Sequence, residues 1–116
     1  MAQVAVIEIK EQKSKGAKDS LSEEGGKILR QTQSYTLLDQ TGKEFTSSGF
    51  AGFLQDRGGG DFVIGGPYGV SDEVRDKARE TIALSRMTFT HEMVRLFFFE
   101  QLFRAMTIMH NKEYHH

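Results

Sequence analysis

The last helix of this chain restricts its fold more than any other feature. The stretch LSRMTFTHEMVRLFFFEQLFRAM, Leu84 to Met106, runs from a loop of hydroxyls (Ser85, Thr88, Thr90) through His91 into a segment that is apolar on almost every side. A helix on the surface of a small soluble domain has one apolar stripe and one polar face. This one carries Val94, Leu96, Phe97, Phe98, Phe99, Leu102, Phe103, Met106, Ile108 and Met109. At about 100° per residue, His91, Glu92 and Arg95 lie on one side of its start, and Glu100, Arg104 and Thr107 lie nearly opposite. The polar stripe changes sides midway, so the helix is expected to bury different faces along its length. Arg95, Glu100, Gln101 and Arg104 interrupt the apolar run, so it does not read as a membrane span. A plain central core helix and a helix shared between a core and a subunit interface both satisfy this pattern.

At 116 residues the chain is expected to form a single domain, 1–116, large enough for a core without metal or disulfide. The absence of cysteine excludes disulfides, thiolate zinc sites and a cysteine nucleophile. A net charge of −1 argues against a strongly basic nucleic-acid protein, although a local patch would still serve. Neither a charged n-region nor a hydrophobic h-region follows Met1, so no signal peptide and a cytoplasmic location are expected.

Along the chain, β-branched QVAVIEIK (Gln3 to Lys10) reads as a strand, followed by a lysine-rich polar loop. Ser20 with Glu23 makes a capping box for a helix near Leu21 to Gln31, weakened by Gly25-Gly26. Tyr35 to Asp39 is a short apolar strand that ends in a Gln-Thr-Gly turn. A helix from about Ser47 to Arg57 sets Phe50, Phe53 and Leu54 on one face and is broken by Gly58-Gly59-Gly60. Phe62 to Gly66 is an unalternated strand, and Ser71 can cap a helix from Asp72 to about Glu80 with two acids suited to its dipole. Thr81 to Ser85 is the last strand. The order βαβαβαβα, with continuously apolar later strands, implies an α/β fold: a mostly parallel sheet with helices on both faces.

In open α/β sheets, ligands bind beyond the carboxyl ends of the strands. Three of these ends carry unusual sequence: Leu38-Asp39, Gly65-Gly66-Pro67-Tyr68-Gly69, and Ser85 to Thr90. Their glycines would allow positive φ or close approach of a ligand, and an ordinary turn is the competing reading. Neither the G-x-G-x-x-G pattern nor a P-loop is present, which disfavours a standard NAD or ATP site.

Leu-Leu-Asp, Phe-Val-Ile-Gly-Gly-Pro-Tyr-Gly, Leu-Ser-x-Met-Thr-Phe-x-His-x-x-x-Arg, Glu-Gln-Leu-Phe-Arg-Ala and a terminal Tyr-His-His follow one another in that order. This series resembles the RlmH type of SPOUT methyltransferase, from about Val6 to His116. The resemblance implies a SPOUT-type α/β fold with a deep C-terminal trefoil knot, and a homodimer that packs through the last helix. It also implies S-adenosyl-L-methionine as methyl donor and, as acceptor, N3 of a pseudouridine in large-subunit (23S) ribosomal RNA, on the assembled ribosome. Three departures stand out. Typical members begin with a further strand and helix of ~40 residues, the segment between Phe53 and Phe62 is short, and Thr90 stands where proline is common. The first departure fits a natural minimal member and a shortened chain equally. It leaves open a knotted dimeric domain that binds cofactor or RNA without turnover.

For the cofactor, irregular loop backbone can supply the hydrogen bonds that adenine needs. Leu84, Ser85, Arg86, Met87, Thr88, Phe89 and Thr90 suit this, with no role given to the Arg86 side chain. By resemblance, Leu38, Asp39, Gly65, Gly66 and Gly69 line the other walls. No metal is expected. His91 is a candidate base, or equally a structural histidine at a helix start. Arg95 can neutralise the developing uracil anion or grip phosphate. Tyr114 and His115 are candidates for a half-site reaching across the dimer, or else a frayed tail. Lys10, Lys13, Lys15 and Lys18 form a candidate RNA contact, or else a solvated loop.

Overall fold

The computed structural model describes residues 3–8, 25–65 and 69–114. Lys10, Lys13, Lys15, Lys18, the Ser20/Glu23 capping box, Gly66 and His115 lie outside the described residues. The strands are β1 (Gln3–Glu8), β2 (Tyr35–Glu44), β3 (Gly59–Ile64) and β4 (Glu80–Ala83). They form one sheet in the order β1-β3-β2-β4, and every pairing is parallel. The helices are α1 (25–31), α2 (Ser47–Arg57), α3 (Asp72–Lys77) and α4 (His91–Tyr114).

Alternation along the strands supplies two cores. Leu38, Phe62, Ile64 and Ile82 face α2 and α4, where they meet Phe50, Leu54, Phe98 and Leu102. Tyr35, Leu37 and Val63 face the other way, onto Ile28 of α1 and Val74 of α3. Both faces of the sheet are therefore covered, as continuous apolar strands require. Local chemistry sets the helix starts. The Thr46 side chain accepts from the Gly49 N–H at 3.0 Å, and the Ser71 side chain accepts from the Val74 N–H at 3.3 Å.

Two boundaries and the burial of the last helix differ notably from the sequence expectation. β2 does not stop at Asp39: the expected turn lies within the strand, as an irregularity between Leu38 and Lys43 in its pairing with β4. α3 ends at Lys77, because Ala78 is already extended and the Arg79 N–H donates to the Tyr35 carbonyl, leading the chain into β4. Within the chain, α4 also keeps one inward side from Val94 through Phe98, Leu102 and Ala105. Its polar residues change sides for another reason. The outward side is divided between an exposed apolar row (Leu96, Phe99, Phe103, Met106) and a polar flank (Glu100, Arg104, Thr107).

Candidate functional site

A cavity of about 400 Å³ opens where the irregular middle of β2 and the carboxyl ends of β3 and β4 meet the start of α4. Three of the walls come from neighbouring strands that the sheet order places side by side. β2 contributes Leu38 and Asp39, β3 contributes Ile64 and Gly65, and the loop after β4 contributes Leu84, Ser85, Met87, Thr88 and Phe89. Gly69 and Val70 close one side, and His91 and Val94 of α4 close another.

Its polar groups are held by hydrogen bonds and ion pairs, some within a turn and some across the fold. Asp39 Oδ2 accepts from the Thr41 N–H at 3.1 Å and from the Thr41 hydroxyl, and Asp39 Oδ1 accepts from Arg75 Nη2 at 3.4 Å. Burial acts to raise the Asp39 carboxyl, but the Thr41 bonds and the Arg75 charge outweigh it and hold the group below the usual carboxylate range. The Ser85 hydroxyl accepts from the Met87 N–H at 3.0 Å, which curls the loop. The Thr88 hydroxyl donates to Gln40 Oε1 at 2.9 Å, tying the loop to the irregular part of β2. His91 Nε2 stands 3.6 Å from the Glu8 carboxylate at the end of β1.

Ten of the sequence candidates meet on this cavity: Leu38, Asp39, Gly65, Gly69, Leu84, Ser85, Met87, Thr88, Phe89 and His91. Others are placed elsewhere. The Arg86 side chain donates to the Gln40 carbonyl at 2.7 Å and pairs with Glu44 at 2.9 Å, so it staples the loop to β2. Thr90 caps α4, its hydroxyl accepting from the Met93 N–H at 3.3 Å and its carbonyl from the Val94 N–H at 3.0 Å. Arg95 is held off the cavity by Glu8, at 2.8 Å, and lies over the Phe99 ring. Tyr114 ends α4.

The two glycines have different reasons, and only Gly69 has one of those expected. A β-carbon on Gly65 would fall 2.6 Å from both the Gly69 carbonyl oxygen and Val70 Cγ1, so its own loop, not a ligand, demands glycine there. Gly69 has φ +86°, and open space lies beside it. Sequence reasoning missed Gln40, Thr41, Ile64, Val70, Arg75 and Val94. For the first two, the signal was the Asp-Gln-Thr order, in which an aspartate accepts from the residue two positions on.

Residues 1–115 match the family described as "Predicted SPOUT methyltransferase". The chain is similar to proteins named ribosomal RNA large subunit methyltransferase H. In Christiangramia forsetii the identity is 46% over 119 residues, covering 96% of this chain and 76% of the relative. In Porphyromonas gingivalis it is 50% over 93 residues, covering 76% of this chain and 59% of the relative. In Geotalea uraniireducens it is 45% over 119 residues, covering 96% of this chain and 78% of the relative.

Proposed function

Because the chain belongs to the SPOUT methyltransferase family, we propose that it methylates large-subunit ribosomal RNA, at N3 of a pseudouridine, with S-adenosyl-L-methionine as donor. The observation that carries this reading is the cavity itself, where the middle of β2, the ends of β3 and β4 and the start of the last helix converge. Its volume of about 400 Å³ lies within the ~300–1,000 Å³ range of small-molecule sites. Its apolar walls, Leu38, Ile64, Leu84 and Phe89, suit an adenine ring, and the backbone from Leu84 to Thr88 can offer it hydrogen bonds.

The bound donor supplies an electrophilic methyl group on a sulfonium, and in-line displacement needs no metal. The protein's task is to hold donor and acceptor in line, an effect worth up to ~7–11 kcal/mol. We assign to His91, on the cavity wall and beside Glu8, the task of holding the proton that leaves the acceptor nitrogen. Arg95, fixed by Glu8 outside the cavity, is available to phosphate or to the developing negative charge on the base. Tyr114 and His115, near the C-terminus, remain candidates for a contribution across a homodimer. The exposed row on α4 supports that dimer, and the family supports a trefoil knot and action on the ribosome.

Calorimetry with S-adenosyl-L-methionine, with and without chelator, followed by methyl transfer to ribosomes that lack the modification, tests the reading. Saturable binding that chelator leaves unchanged, and one methyl group at N3 of pseudouridine, are expected. Binding without transfer would instead favour a cofactor- or RNA-binding domain.

A further inference from the structure

We propose that Arg75 and Asp39 form a charge-paired rim that recognises the zwitterionic amino-acid end of the methyl donor and takes no part in holding its nucleoside. The proposal rests on the cavity being the donor's site. Among the described residues on the cavity wall, Arg75 is the one permanent cation and Asp39 the one carboxylate. Thr41 fixes the aspartate through Oδ2, which leaves Oδ1 turned to the guanidinium. Only 16% of the Asp39 side chain is exposed, so the carboxylate is held partly dry.

Arg75 is held loosely by comparison. Its contacts are 3.4 Å to Asp39 and 3.6 Å to Asp72, whose own side chain is 99% exposed. Charge-assisted bonds of good geometry are ~2.7–2.9 Å, and a guanidinium has five N–H donors. The fork therefore keeps capacity for a carboxylate, which it can grip in bidentate fashion. An α-amino acid carries a carboxylate and an ammonium side by side, and the sulfonium adds a second positive centre nearby. Such a ligand can replace both halves of the long Arg75–Asp39 contact at once: its carboxylate on Arg75, its cation on Asp39. The rim then stays neutral, and neither charge is left unpaired when water is displaced. Among the described residues, the rest of the wall is apolar at Leu38, Ile64, Leu84 and Phe89, and its polar side chains, Gln40, Thr41, Ser85, Thr88 and His91, include neither a carboxylate nor a permanent cation to match a zwitterion.

The test compares two ligands on three proteins. S-adenosylhomocysteine carries the amino-acid end, whereas 5′-methylthioadenosine keeps the nucleoside and thioether without it. Calorimetry on the wild type, Arg75→Gln and Asp39→Asn, with melting curves to confirm folding, gives the affinities. For Arg75→Gln we expect S-adenosylhomocysteine to weaken at least about tenfold, with methylthioadenosine unchanged within about twofold. Asp39→Asn should show the same selectivity. Arg75→Lys, which keeps the charge without the fork, should fall between wild type and Arg75→Gln for S-adenosylhomocysteine. Equal losses for both ligands, or no loss for either, would overturn the proposal while leaving the donor site standing. A folded wild type that binds neither ligand would overturn the donor site and the rim together.

Discussion

Replacing Phe103 with glutamate tests whether α4 is shared between two copies of the chain. Phe103 is 74% exposed, on a row with Leu96 (64%), Met106 (41%) and Phe99 (39%). The spacing of three and four residues is that of a helix seam. A phenylalanine side chain offers ~150–250 Å² for burial, so covering the exposed three-quarters removes ~150 Å² from water. At ~25 cal/mol per Å² this is ~4 kcal/mol per copy, and a twofold interface counts it twice. Even with only half of that area covered, the loss is ~4 kcal/mol, close to a thousandfold in the dimer dissociation constant. The buried glutamates would add a desolvation penalty. Sedimentation at micromolar concentration should give a wild-type dimer and a folded Phe103→Glu monomer. A folded wild type that sediments as a monomer at micromolar concentration, or a folded Phe103→Glu variant as dimeric as the wild type, would refute the argument.

Three further outcomes follow from the packing. A β-carbon on Gly42 would lie 2.6 Å from the Ile82 backbone, so Gly42→Ala should cost ~1–3 kcal/mol and weaken cofactor binding through the adjoining Asp39–Thr41 wall, whereas Gly52→Ala, with nothing within 4 Å, should be neutral or stabilising; melting and calorimetry measure both. Phe98 is 0% exposed and its ring packs against Phe50 and Phe62, so Phe98→Ala should lower stability by ~3–5 kcal/mol, read from the urea midpoint at unchanged slope. Burial and the Glu73 charge raise the Tyr35 hydroxyl above its usual range, so its contribution is intact below the unfolded pKa of ~10 and is lost as pH rises through the folded value. Tyr35→Phe, which removes the bond to the Val74 carbonyl, should cost ~1 kcal/mol at neutral pH, and its melting temperature should fall less than that of the wild type above pH ~10.

The sequence alone determined whatever short-range chemistry decides. The Ser71 cap, the bounds of α2 at Ser47–Arg57, the parallel sheet covered on both faces and the three segments that meet at the cavity were all legible. Each is written in neighbouring residues, through a capping hydroxyl, an apolar run or a glycine break. Only the tertiary structure decided which side chains reach the cavity. Glu8, at the end of β1, holds Arg95 away from it and pairs with His91, across 87 positions of sequence between Glu8 and Arg95. Arg75 reaches the wall because burial of its neighbour Val74 against Tyr35 and Val63 sets the rotation of α3, and no local pattern fixes that rotation. The length of β2 was equally hidden, since Lys43 and Glu44 count as strand only once Ile82 and Ala83 lie beside them. Backbone capping and hydrophobic period act within a turn or two of chain. Register, helix rotation and charge pairing depend on partners that only folding brings together.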